Sequence, residues 1–347
     1  MANQIDIDAK IQGETYQGFG QQHIITISDG TLFAAQINLN NEIEVHKSVD
    51  SGANWTLETT LSSLTSPQSL SLCKSELDDL FVGFTNGAAG SVNGVIHRRT
   101  PGGVWSQVLN QNYGHKSTAG LPGFLITYNK AINRLHFFYT SQSNSNWRTT
   151  DNKYSDDKGS TWSAGVHWEP GQSTGAEALI NCLGLDSDNS GNVYLLRQAQ
   201  IADRAYIDKF SSSGVHLSTY LNSGSNQKAG ALAIDSNNNI WSLTYRWLAT
   251  SSLYLNKNTT IGFETIDASG DVFKHGMFSL GIDGADNLYI FYVRDTDNKT
   301  YYRKYNSTTA TLESEQVFTT STGLRPSCEQ RVDVPGSIKL NVVFFTG

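Results

Sequence analysis

Charge is scarce in this chain, and so are the residues that staple or anchor a fold. Asp, Glu, Lys and Arg make up 16% of 347 residues and leave a formal net charge of −7. A phosphate-binding surface needs clustered Lys and Arg, so nucleic acid is excluded as a partner. The three cysteines, Cys73, Cys182 and Cys328, are odd in number and widely separated. Neither a disulfide framework nor a zinc site is expected from them, and buried thiols are the plain reading. No apolar run is long enough to cross a bilayer, and the N-terminus has neither a basic n-region nor an apolar h-region. The expectation is no membrane insertion and no export signal. The H-E-x-x-H pair, the P-loop and a G-x-G-x-x-G after a strand are absent too, which removes several common catalytic classes.

What the chain has in quantity is turn chemistry, and one short motif occurs twice. Lys47-Ser48-Val49-Asp50-Ser51-Gly52-Ala53-Asn54-Trp55 and Tyr154-Ser155-Asp156-Asp157-Lys158-Gly159-Ser160-Thr161-Trp162 share Ser-x-Asp-x-Gly with a Trp three positions on. Asp folds back onto the N–H groups of its own turn, Gly takes the positive-φ position, and the Trp starts the returning strand. Ser48, Asp50, Gly52, Trp55 and Ser155, Asp157, Gly159, Trp162 are therefore read as scaffold. These residues resemble the Asp-box, or BNR repeat, of sialidase-like β-propellers. The second copy fits that consensus at every fixed position, and the first departs only by Asn54 for Thr.

A longer period supports a repeat architecture. A turn residue followed by an apolar residue opens a strand at Leu32, Leu80, Leu135, Val193, Ile240, Leu288 and, with one residue of slack, Leu340, in steps of 47 to 58 residues. An apolar run precedes each, at 23–27, 70–73, 124–128, 179–185, 231–234, 278–282 and 328–334, and a third and fourth strand follow in every unit but the seventh, which has only its first two. Four strands per unit is the propeller blade. The sequence thus predicts a single all-β domain over 1–347, a seven-bladed β-propeller of four-stranded antiparallel blades. Its last blade is completed by an N-terminal strand within 4–12; six blades is the alternative count.

Antiparallel strands put the A–B and C–D turns on one face of the disc and the B–C and D–A loops on the other. The loop face collects Arg197, Tyr245-Arg246-Trp247, Arg294, Trp147-Arg148, His275 and Arg325. Aromatic faces beside arginine forks suit an acidic glycan or a protein receptor. The resemblance implies an early arginine in a Phe/Tyr-Arg-Ile-Pro segment, an arginine triad, a Tyr–Glu nucleophile pair and an acid/base Asp. No such segment occurs, and no arginine precedes Arg98.

The reading is a non-enzymatic, lectin-like binding propeller. The Asn-, Ser- and Thr-rich composition fits a bacteriophage virion surface part (spike, tail or decoration protein) among other virion proteins. The alternative is a glycan-cleaving enzyme, a divergent sialidase-like hydrolase or a polysaccharide lyase with His23, His115, His275 or Tyr245 as base. No cofactor is expected; the acidic stretches 186–192 and 295–298 have oxygen ligands spaced for calcium.

Overall fold

In the computed structural model the described residues are 6–7, 23–38, 40–63, 68–87, 92–113, 124–144, 147–168, 180–199, 204–221, 227–246, 251–270, 278–322, 324–332 and 340–346. The fold is an all-β propeller with six four-stranded antiparallel blades, spanning 24–63, 68–112, 124–168, 180–221, 227–270 and 278–322. The fourth strand of the last of these is broken into Thr311–Leu312 and Gln316–Thr322, both paired with Lys299–Asn306.

A terminal sheet of three strands completes the order. Leu324–Cys328 pairs antiparallel with Val342–Thr346, and Asp6–Ile7 runs parallel to Phe344 and Phe345. The expected seventh blade is corrected accordingly: six blades have four antiparallel strands, and the terminal sheet has three. The N-terminal strand does join the C-terminal one. The inner strand of this sheet lies at Leu324–Cys328 rather than 328–334, because the backbone beyond it is drawn to the neighbouring blade. Ile282 N–H donates to Gln330 O at 3.0 Å, and Val332 N–H donates to Ile282 O at 2.9 Å.

A single sheet with two apolar faces must bury both, and the blades do so against each other. The buried clusters fall at successive blade junctions. One joins Phe33 and Val45 to Leu72 and Phe84, the next Phe81 and Ile96 to Phe124 and Phe137, and another Trp241 and Leu255 to Ile290 and Tyr305. Near the axis the inner strands crowd, and small residues permit it. A Cβ on Gly184, Gly230 or Gly281 would lie 2.8 Å or less from Leu232, Phe278 or Glu329 O respectively.

Six A–B turns carry a left-handed residue just before the B strand: Gly30, Asp78, Asn133, Gly191, Asn238 and Asp286. Each N–H of that residue donates to a carbonyl three residues back, a type I turn with a following bulge. Gly, Asn and Asp tolerate this conformation best, which is why turn residues mark every B-strand start.

Candidate functional site

Both repeated motifs form C–D turns and share one face. Ser48 Oγ donates to Asp50 Oδ1 at 2.7 Å and accepts Gly52 N–H at 2.8 Å. Asp50 also accepts Asn54 N–H at 2.9 Å and Asn54 Nδ2 at 2.7 Å. In the second copy Ser155 Oγ donates to Asp157 Oδ1 at 2.8 Å and accepts Gly159 N–H at 2.7 Å. Asp157 accepts Thr161 N–H at 2.8 Å and Thr161 Oγ1 at 2.7 Å. These donors, the backbone N–H foremost, hold both carboxyls down at about 2. Trp162 Nε1 reaches the preceding blade, donating to Val108 O at 3.1 Å. Trp55 Nε1 instead donates to Gly52 O of its own turn at 3.2 Å.

A second repeated turn escaped the sequence reading. Asp188, Asp235 and Asp283 each accept the N–H groups two and four residues on. Each also accepts the Asn side chain at the fourth position and the polar atom of the aromatic at the sixth: Tyr194, Trp241 or Tyr289. The signal was Asp-x-x-x-Asn-x-Tyr/Trp, recurring in three successive blades. It also shows that Asp188, a suggested calcium ligand, already has its oxygens occupied by donors.

On the loop side, the B-strand arginines differ in environment. Arg197, 2% exposed, bonds fully buried Asp208 through Nε at 2.5 Å and lies over the rings of Tyr206 and Trp168. Asp208 is held in turn by Thr219 Oγ1 at 2.6 Å. Arg294 is half-buried and bonds Glu315 at 2.8 Å, with Asp267 at 3.6 Å and the Tyr301 ring 4.6 Å away. The break between Thr311–Leu312 and Gln316–Thr322 is where Glu315 sits, and such interruptions re-aim side chains. Tyr292 donates to the same Glu315. Burial, then that bond, pushes the Tyr292 phenol far up, and its ring is fully buried.

Arg246, at the end of Ile240–Arg246, is exposed, and its guanidinium has no hydrogen bond or ion pair among the described residues. Tyr245 beside it is buried against Phe278. Trp147, Arg148 and Arg325 lie in strands, but their side chains are outside the described residues, as are Trp247 and His275 altogether. His23 is half-buried, and desolvation of its imidazole pushes it down to about 4. The pentapeptide Gly171-Gln172-Ser173-Thr174-Gly175 has G-x-S-x-G spacing, yet it falls outside the described residues, and a nucleophile elbow needs a strand-to-helix turn. Among the described residues no group of three His, Cys, Asp or Glu is placed to hold a metal.

The fold is a β-propeller of the kind seen in solved sialidase and polysaccharide lyase structures. A polysaccharide lyase acting on ulvan superposes with a TM-score of 0.60 at 8% identity, covering 96% of this chain and 90% of its own. A Hadza microbial sialidase gives 0.54 at 11% identity over 85% and 69%. The Aleuria aurantia lectin, solved with α-methyl-L-fucoside, gives 0.51 at 15% over 89% and 99%. At these identities the likeness is one of fold alone. No family model matches the sequence, and no curated protein does.

Proposed function

We propose that this chain is a non-enzymatic, lectin-like propeller that binds a glycan or a glycosylated receptor on its B–C and D–A loop face. The observation that carries the reading is the contrast among the arginines. Arg197 and Arg294 are neutralised by buried or half-buried acids, whereas Arg246 presents an exposed guanidinium with no partner among the described residues. A guanidinium fork in that state suits a carboxylate or sulfate on a sugar. Structures of similar fold whose names speak of carbohydrate support the class. We also read the two Ser-x-Asp-x-Gly turns as Asp-boxes, and the Asn- and Ser-rich surface as suited to a virion exterior.

The glycan-cleaving alternative draws on Tyr292, Glu315 and Arg294, which match the residue types of a sialidase nucleophile pair beside an arginine. A buried phenol with a raised pKa is a poor nucleophile, and glycoside cleavage also needs a second, accessible acid.

An acidic-glycan array followed by titration of the best hit tests the reading. Binding should weaken at least tenfold in Arg246→Ala, with no reducing ends released over prolonged incubation. Steady release of reducing ends would replace the binding reading by the enzymatic one; unchanged affinity in Arg246→Ala would remove this arginine from the site.

A further inference from the structure

On the A–B turn face, opposite the loop rim, the axis of the ring holds a cavity of about 430 Å³. That is within the size range of small-molecule sites. Its walls come from the inner strands of the first four blades and from the segment after Cys328. Ile25, Leu72 and Ile126 supply a buried apolar lining. Lys130, Asp186 and Arg331 supply charge.

The placement of Arg331 is built. Gln330 Nε2 donates to Leu185 O at 3.1 Å and to Leu232 O at 2.7 Å, so the terminal segment is tied to the fourth and fifth blades. Arg331 itself bridges to Ile282 in parallel register. The guanidinium therefore stands near Asp186, the neighbour of Leu185, and its charge acts on that carboxyl. It has no hydrogen bond or ion pair among the described residues. Lys130 acts on the same carboxyl and also on the Cys73 thiol.

Asp186 accepts the N–H groups of Ser187 and Ile234, each at 2.8 Å. Asp186 is half-buried and lines the cavity. Burial raises it to about 6, against those two N–H groups and the charges of Arg331 and Lys130. The other charges on the wall are otherwise placed: Lys130 has an interaction of its own, Lys74 lies 3.8 Å from Asp78, Asp188 is filled by turn donors, and Glu76 is at the exposed rim.

We propose that this axial cavity binds a small organic carboxylate, its charge held by Arg331 and its carbon body against Ile25, Leu72 and Ile126. An unpaired guanidinium in a recess is satisfied by a carboxylate fork. A neutral Asp186 then donates to the anion, whereas an ionised one repels it, so binding strengthens as pH falls. The apolar lining favours a ligand with a hydrocarbon part over an inorganic ion. The site is separate from the loop face and does not depend on the glycan reading.

The test is calorimetric titration of the full chain with benzoate at pH 5 and pH 8, with benzyl alcohol and inorganic phosphate as comparisons. Benzoate should bind at pH 5, at least tenfold more weakly at pH 8, and more tightly than either comparison at pH 5. Arg331→Gln, which loses no side-chain hydrogen bond among the described residues, should weaken it at least tenfold; Asp186→Asn should bind equally at both pH values. Thermal melts confirm that each variant folds, and Arg331→Lys, which keeps the charge but loses the fork and should also weaken binding, replaces Arg331→Gln if that variant does not fold. Benzoate binding no better than benzyl alcohol, phosphate binding as tightly, or an unchanged affinity in Arg331→Gln would each overturn the proposal. Loss of Arg246 should leave benzoate binding intact, which separates this site from the loop-face reading.

Discussion

At the scale of single residues, the least comfortable group in the fold is His136. It is fully buried in Arg134–Asn144, next to the ring of Tyr154, and neither ring nitrogen has a hydrogen-bond partner among the described residues. Burial, with the nearby Arg134 charge second, lowers its pKa to about 3. Between pH 6.5 and 3 the unfolded chain therefore binds a proton there that the folded chain does not. The stability from a neutral His136 is complete above pH 6.5 and is lost as pH falls toward 3, by about 2 kcal/mol at pH 5. Asp186 works in the opposite sense, since a carboxyl raised to about 6 favours the folded state as pH falls through that value. The comparison must therefore be between variants. His136→Phe should lose distinctly less stability than the parent between pH 7.5 and 5 in urea unfolding at constant m-value. Parallel losses would mean that His136 does not titrate as its surroundings dictate. The sequence did not single this residue out. A histidine at an inward position of a strand looks like any other alternating residue, and only the assembled sheet, with the Tyr154 ring beside it, shows that neither nitrogen finds a partner among the described residues.

At the scale of the element, most of the fold was legible because it is written in turns. The B strands begin at Leu32, Leu80, Val193, Ile240 and Leu288 as the spacing predicts. Each follows a Gly, Asn or Asp that the bulged turn requires, or the residue next to one. What was missed at this scale was the Asp four residues ahead of Asn192, Asn239 and Asn287. Its partners all lie within six residues after it, so the signal was local, but it shows only when the three turns are aligned on their Asp rather than on the start of the B strand. The cost of the turns can be separated into strain and space. A Cβ on Gly30, at φ 88°, meets nothing within 4 Å, whereas one on Gly159, at φ 94°, lies 2.7 Å from Val108 of the preceding blade. Gly30→Ala should therefore cost only the left-handed backbone, about 1 kcal/mol. Gly159→Ala adds overpacking, for a total of about 3 kcal/mol. Urea midpoints for the two variants decide it. Equal costs would mean that the blade junction at Val108 yields freely, and the repeated turn would then be a local hairpin device with no role between blades.

At the scale of the whole molecule, the sequence indicated that the two ends meet and left the manner of meeting open. Counting strands showed a last unit with too few of them, and the alternation Ile5-Asp6-Ile7-Asp8 offered a filler. Strand direction cannot be counted in that way, because a two-residue pairing has no turn to dictate it, and the parallel register of Asp6–Ile7 on Phe344 and Phe345 emerges only from the assembled ring. The loop-face site was the least legible part, since ligand contacts depend on which long loops converge, and length and composition do not encode that. The closure nonetheless makes a claim about stability. The terminal sheet is also tied inward, by His23 N–H to Ser327 Oγ at 3.3 Å, Asn341 Nδ2 to Thr26 Oγ1 at 3.0 Å and the Gln330 bonds. Its inner and middle strands should therefore survive loss of the outer one. Deleting residues 1–12 uncovers the edge of Val342–Thr346 and should lower stability by about 2 kcal/mol, a fall of several degrees in Tm. Hydrogen exchange should show faster exchange confined to Val342–Thr346 and Leu324–Cys328, with the strand Val193–Ala199 across the ring unchanged at temperatures well below the transition. If protection of Val342–Thr346 is the same with and without the first twelve residues, the parallel strand adds nothing to the closure, and the ring is held by its inward ties alone.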